Sequence, residues 1–379
     1  MPDSATSHIG SLAADIASRA LRQPVRLQYA GQLRNRSDIC RFEVQDPLPP
    51  APASVVVKLV PASDSHPTSP SDLVRLNGLF CNEWAGLSLL QQLSADPPLA
   101  PYFYGGNRLA RMLVMEDLGR ASILWDVLQA HASQLATEQL VALATAFGRM
   151  HAHTIGQQPR LDELRDALAC GQSADDVDDY AWMRPTFEAT AAALGIRLLP
   201  TVLDDVAKLR QRLSEPDPFR AYTQGDPSPG NCLFVAPSMR LLDFGVGAYR
   251  HAFVDFPPPW CWQRIPQSVM RHMISSYQAA LVEGCAAATD PLRFGQGLVE
   301  GCAYWSMTLL KDWSLTEVAA NAGMRSTLLQ VLESFVERSQ QTSYLETLGT
   351  TTAAIVEAIG RRWPKDTSQS AYYPAFQER

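Results

Sequence analysis

Nine residues, Thr223-Gln224-Gly225-Asp226-Pro227-Ser228-Pro229-Gly230-Asn231, constrain this chain more than any other stretch, together with Asp243-Phe244-Gly245 twelve positions later. Asn231 stands just before the apolar run Cys232 to Val235, and Asp243 just after the run Met239 to Leu242. Ala236-Pro237-Ser238 between them predicts the turn of a tight β-hairpin. Antiparallel pairing sets the start of one strand beside the end of the other, so Asn231 and Asp243 are expected on one rim. Two hard oxygen ligands there suit Mg²⁺ carrying a nucleotide phosphate. Asp226 lies in a segment broken by Pro227, Pro229 and Gly230, so it is not helical and is free to meet a hydroxyl. The outline is that of a phosphoryl-transfer site.

The remaining bulk properties narrow the setting. With 379 residues the chain has ample length for a core in one two-lobed domain or two domains. A formal net charge of −7 with scattered basic residues argues against nucleic acid as the main partner. No apolar run is long enough to span a membrane; the best, Leu298 to Leu310, contains Glu300. Asp3 and Asp15 near the start do not suit a secretory signal. Seven cysteines without a CxxC or Cys/His cluster read as free thiols in a reducing compartment, so a cytoplasmic location is expected. Oligomeric state is not legible.

Periodicity divides the chain in two. Residues 8–21 predict a short amphipathic helix. Strand-like runs follow at Val25–Tyr29, Cys40–Val44 and Ser54–Val60, then a proline-rich loop from Pro61 to Pro70. A helix from about Phe80 to Leu93 precedes two more strand runs, Tyr102–Tyr104 and Arg111–Met115. Beyond Gly119 the patterns are helical: about 122–131, 137–154, 160–170, 177–195, 200–214, 266–284, 290–311, 315–338 and 343–361. Only the hairpin interrupts them. The expected class is α+β, with a nucleotide-binding lobe of small antiparallel sheet and one helix over 1–116. A large helical lobe, catalytic and substrate-binding, is expected over 117–379.

Three further places carry chemistry. Strand alternation puts Lys58 on one face with Val56 and Val60, and Val55, Val57 and Leu59 on the other. Alone, Lys58 reads as a lysine at a wet sheet edge; among apolar neighbours on both faces it needs an anion. Glu83 is a candidate, since helical spacing sets it between Leu87 and Leu90 on an apolar face. Its plainer reading is a glutamate at the margin of that face. Glu116 to Leu118 connects the two expected lobes, where backbone groups can meet the edge of a purine; an ordinary turn would look the same.

The motifs Gln224-Gly225-Asp226, Asn231 and Leu241-Leu242-Asp243-Phe244-Gly245 resemble those of the aminoglycoside phosphotransferase and choline-kinase-like small-molecule kinases, which share a protein-kinase-like fold. Also similar are Val56-Val57-Lys58, Glu83, Met115-Glu116-Asp117-Leu118-Gly119 and Phe147-Gly148-Arg149-Met150-His151. The resemblance covers about residues 25–256. It implies Asp226 as catalytic base or hydroxyl-orienting carboxylate, and Asn231 and Asp243 as Mg²⁺ ligands. It further implies Lys58, held by Glu83, on the phosphates of ATP or GTP, with Glu116 to Leu118 at the purine. A small-molecule hydroxyl acceptor is the implied partner.

Three departures qualify it. Gln224 replaces the family's usual His, which leaves a nucleotide-binding pseudokinase as the alternative. The stretch Ala30 to Asp38, read as a loop, has a single glycine and no GxGxxG; Asn35 and Ser37 would then cover the phosphates. No Ala-Pro-Glu follows Gly245, which disfavours protein phosphorylation. His151 is expected to be a packed structural histidine, and Asp255 either a brace for the catalytic loop or a helix cap. On the acceptor side, Trp260, Trp262, Trp305 and Trp313 with Glu300, Asp312 and Glu317 can enclose an amine or sugar. Equally, they read as core aromatics and solvated acids.

Overall fold

The structure is a computed structural model and describes residues 4–33, 36–60, 70–169, 180–214, 217–261, 264–363 and 372–377. The predicted loop over 61–69, Asn35 and Trp262 lie outside the described residues. Two compact units are present. One comprises Met1–Ala121, Gln158–Ser173 and Arg240–Ala248; the other comprises Ser122–Gln157, Ala174–Met239 and Tyr249–Arg379.

The first unit is built on a five-stranded antiparallel sheet of β1 (Leu27–Leu33), β2 (Arg36–Val44), β3 (Ser54–Leu59), β4 (Phe103–Asn107) and β5 (Met112–Glu116). Its order, β1-β2-β3-β5-β4, puts β3 in the middle. Alternation along β3 sends Val55 and Val57 to one face, where they are fully buried with Cys40, Phe42, Met112 and Val114. Helix α1 (Ser4–Leu21) covers that face through Ala13 and Ile16. It begins earlier than the apolar spacing suggested. Helix α2 (Pro70–Gln92) lies across the chain from β3 to β4 and carries Phe80, Leu87 and Leu90 on a buried stripe. Trp84 on α2 meets Phe80 and Phe103 edge-on at ring separations of 5.6 and 5.7 Å. Strands β1 and β2 run to Leu33 and Arg36, so most of the stretch expected as a phosphate-covering loop is strand. The bulges in the β1–β2 register hid that extension from simple alternation.

The second unit is mainly helical. Its helices are α3 (Leu124–Gln129), α4 (Ser133–Thr154), α6 (Met183–Ala193), α7 (Pro200–Ser214), α8 (Gln267–Leu281), α9 (Pro291–Asp312), α10 (Leu315–Ala320), α11 (Ala322–Thr342) and α12 (Glu346–Arg362). Helix α5 (Gln158–Ala167) belongs to the first unit and packs on α2. Expected as one helix, 315–338 is two, because Asn321 accepts the Met324 N–H and caps a new start. Helices α4 and α8 pack closely at Gly148, where a Cβ would lie 2.6 Å from the Tyr277 carbonyl oxygen. Short strands the helical reading passed over are also present: β6 (Ser122–Ile123), β7 (Arg220–Thr223) and β10 (Ala248–His251). Strand β7 pairs with β10, and β6 joins the expected hairpin of β8 (Cys232–Val235) and β9 (Ser238–Leu241). Runs of two to four residues are too short to show a period.

Cys40, Cys232, Cys261, Cys285 and Cys302 are free and buried, but Cys81 is disulfide-bonded, which corrects the expectation that every cysteine is a free thiol. Among the described residues, no helix is long and apolar enough to cross a membrane.

Candidate active site

The candidate residues form two clusters, one in each unit. In the first, the Lys58 ammonium donates to both Glu83 oxygens, at 2.9 and 2.7 Å, and to Asp243 Oδ1 at 2.8 Å. β3 is central, paired through Ile39 on one side and Leu113 on the other, so the wet-edge reading of Lys58 does not hold. Glu83 is buried on the inward stripe of α2, where the helical spacing put it. Burial alone would lower the Lys58 ammonium, but the Glu83 and Asp243 carboxylates outweigh it and hold it above the ordinary lysine value. The two acids differ in access. The Glu83 side chain is 4% exposed and that of Asp243 38%, so Asp243 is the one an incoming ligand can reach.

Backbone geometry aims Asp243. Its φ is 60°, a left-handed conformation rare outside glycine, and it persists where surrounding contacts over-determine it. Those contacts are the Lys58 ion pair and, two residues on, the Gly245 carbonyl accepting from the Asn82 side chain at 3.2 Å. Sequence reading missed Asn82, a polar residue on the buried side of α2.

At the end of β5, Glu116 is half-buried and accepts the Tyr102 N–H at 2.9 Å, so its side chain is engaged within the sheet. Asp117 is bound by Arg41 at 2.6 Å and by the Ser54 hydroxyl at 2.7 Å, and accepts the Gly119 N–H at 2.9 Å. Leu118 is half-buried in the connector that follows. Ser37 lies in β2 rather than in a loop.

The second cluster surrounds Asp226. Strand β7 ends at Thr223, and the chain turns through Gly225 at a φ of 82°, which a side chain would strain. Asp255 holds this turn: its carboxylate accepts the Gln224 N–H at 2.6 Å and the Gly225 N–H at 2.9 Å. Its carboxylate is a brace, while its backbone N–H closes the 3-10 turn Ala252–Val254 by donating to the Ala252 carbonyl at 3.2 Å, so both readings of Asp255 apply. His151 Nε2 lies 3.3 Å from the same carboxylate, and His151 Nδ1 lies 2.9 Å from the Tyr277 hydroxyl. Burial pushes that hydroxyl well up, so it stays protonated. His151 is fully buried, as expected of a structural histidine.

Gln224, the departure from the family pattern, is 1% exposed, and its side-chain oxygen accepts the Asp226 N–H at 3.0 Å. The carboxamide therefore ties the loop at the Asp226 backbone. Asp226 itself is exposed. Asn231 Nδ2 lies 3.1 Å from Asp226 Oδ2 and 3.2 Å from its carbonyl oxygen.

The candidate acceptor residues fare differently. Glu300 is fully buried and engaged by Arg212 at 3.0 Å, the Tyr344 hydroxyl at 2.8 Å and His251 at 3.2 Å. Burial would raise its carboxyl, but these partners hold it below the ordinary value. It serves a buried ion network, so it is unavailable to a substrate. The Trp305 indole donates to the Val254 carbonyl at 2.7 Å, and Glu317 closes a capping box with Ser314 at the start of α10. Asp312 lies beside Lys311 at 3.5 Å, and Trp313 caps the end of α9.

Among the described residues, no three His, Cys, Asp or Glu side chains converge as a metal cage. The accessible Asp243 carboxylate is the kind of hard oxygen donor that a magnesium ion carrying phosphate oxygens and water takes.

No protein-family model matches the chain, and no curated protein does. Solved structures similar to it include a choline/ethanolamine kinase family protein from Mesorhizobium loti. That likeness has 13% identity, covers 93% of this chain and 99% of the other, and has a TM-score of 0.46. A choline kinase from Streptococcus pneumoniae shows 12% identity over 87% and 99%, with a TM-score of 0.44. A macrolide 2'-phosphotransferase from Brachybacterium faecium shows 14% over 84% and 98%, with a TM-score of 0.41. At these identities and scores the likenesses assign neither substrate nor reaction to this chain.

Proposed function

We propose that the protein is a small-molecule kinase, transferring the γ-phosphoryl group of ATP or GTP to a hydroxyl of an aminoglycoside, amino sugar, sugar or amino alcohol. The observation that carries this reading is the Lys58 ammonium held by one buried and one accessible carboxylate. A lysine fixed on a central strand this way keeps its charge; its three N–H donors go to Glu83 and Asp243, so a phosphate oxygen would take the place of the accessible Asp243 carboxylate. Asp243 and Asn231 would hold Mg²⁺, which when bound neutralises charge on the phosphate oxygens. Asp226, exposed on a loop braced at Gln224 and Gly225, would accept the acceptor's hydroxyl proton as its oxygen bonds to phosphorus. The bond to the leaving diphosphate breaks and the nucleoside diphosphate departs. Backbone groups of Glu116 and Leu118 would meet the purine. Orientation and charge, rather than covalent chemistry, supply most of the acceleration in such reactions.

The test is ADP or GDP release against a panel of aminoglycosides, amino sugars, sugars, macrolides and amino alcohols. Asp226→Asn and Asp243→Ala are each expected to lower transfer by at least about a hundredfold, the scale of losing a positioned base or charge clamp. Full activity in both variants would show the assignment wrong.

A further inference from the structure

The loop after Asp226 contains Pro227 and Pro229, neither of which has a backbone N–H, so these two positions lend no donor to bracing it from within. The Asp226 carbonyl is met from within the loop by the Ser228 N–H at 2.7 Å. The Pro227 carbonyl, one residue beyond the carboxylate, is met from outside by the Trp260 indole N–H. Trp260 lies in a 3-10 turn at Pro259–Cys261, thirty-three residues from its acceptor.

That turn is in turn held by the carboxy-terminal segment. The Tyr373 hydroxyl donates to the Trp260 carbonyl at 3.3 Å, and the two rings meet edge-on at 6.4 Å. Tyr373 N–H donates to the Arg264 carbonyl at 3.0 Å, and the Arg264 guanidinium stands 4.2 Å from the Tyr373 ring centre. Tyr373 is 1% exposed. Burial pushes its hydroxyl up to about 12, so it remains a donor at working pH. The following turn, Pro374–Phe376, packs against α3 and α4. A segment docked on two helices thus supports a side chain that reaches the loop beside Asp226.

We infer that Trp260, seated by Tyr373 and Arg264, is a positioning residue that sets the orientation of Asp226 through the Pro227 carbonyl. The inference rests on the reading of Asp226 as the residue that meets the acceptor hydroxyl. Indole is a donor only, so replacing it with a benzene ring removes the hydrogen bond while keeping most of the packing. Catalytic positioning is sensitive to small displacements, so the cost appears in kcat and not in nucleotide affinity.

ADP release from MgATP, with water or a panel acceptor, separates the outcomes in full-length wild type, Asp226→Asn, Trp260→Phe, Trp260→His and Tyr373→Phe. Trp260→Phe is expected to lower kcat about tenfold and leave the nucleotide KM within about twofold. Trp260→His, which restores a ring donor, should recover part of that loss, and Tyr373→Phe should show a smaller loss of the same kind. Hydrogen exchange over residues 224–233 should quicken in Trp260→Phe whether or not an acceptor has been found. Unchanged kcat with unchanged exchange in Trp260→Phe overturns the inference. So does a parallel fall of kcat, nucleotide affinity and melting temperature, which marks a packing residue. Full activity in Asp226→Asn overturns the functional reading, an outcome independent of how Trp260 behaves.

Discussion

Asp117 and Gln224 are both small polar residues beside backbone turns, yet they act through different groups. Gln224 contributes a neutral carbonyl oxygen to one N–H, while its own N–H is taken by Asp255. Asp117 contributes a charge. Burial would raise its carboxyl, but hydrogen bonds from Arg41, Ser54 and the Gly119 N–H hold it below the ordinary value. A depressed folded value means this stabilisation is present above the unfolded carboxylate value and is lost as pH falls through the folded one. Asp117→Asn should therefore cost roughly 2 kcal/mol near neutral pH, the scale of hydrogen bonds to a charged group. The gap from wild type should begin to narrow below about pH 4, near the unfolded Asp value, and close only below the lower folded value; urea melts at several pH values measure it. A gap that stays constant down to pH 3 would contradict the assignment. Lys58, Glu83, Asp226, Asn231 and Asp243 could be named from the chain because they sit in local patterns of period and spacing. Asp255 could be noticed but its role not decided, and the partners of the structural His151 could not be named, since those partners lie 30 to 126 positions away.

At the scale of elements, α4 packs closely on α8. Gly148 leaves no room for a side chain against the Tyr277 and Leu281 backbone. That contact lets His151, one turn further along α4, reach the Tyr277 hydroxyl. Tyr277 is itself fixed by stacking on Phe256 at 4.0 Å between ring centres. Gly148→Val should force the helices apart, lowering stability by about 1–3 kcal/mol, as overpacking of a filled interior does. Loss of the His151–Tyr277 contact should accompany it, read from the imidazole ring signals in NMR. A variant as stable as wild type would mean that the helices tolerate separation. Element boundaries were less legible than element types. The five strands of the first sheet and the long helices carried clear periods, whereas β7 and β10 did not. Those two strands position the Asp226 loop and the Asp255 brace by pairing with each other.

On the scale of the whole molecule, ligand linkage offers a test that needs no acceptor. A nucleotide that binds only the folded protein stabilises it by about 2.7 kcal/mol at a hundred times its dissociation constant. MgATP or MgGTP should raise the melting temperature of wild type accordingly. Lys58→Met should abolish most of that shift, and should also lower the unliganded midpoint because Glu83 would remain buried without its partner. A full nucleotide shift in Lys58→Met would remove Lys58 from the binding site. Alternation and helical spacing in the sequence by themselves determined that a lysine and a glutamate face inward in a small sheet-and-helix unit. They also determined that two carboxylates and an amide flank one hairpin, because each is a local property of the chain. Only the tertiary structure decided that Lys58 pairs with Asp243 across 185 positions, that Glu300 is locked in a buried ion network, and that Trp260 and Asp255 brace the Asp226 loop. Hydrogen bonds and ion pairs between distant segments depend on how the elements pack, and packing leaves no period in the sequence to read.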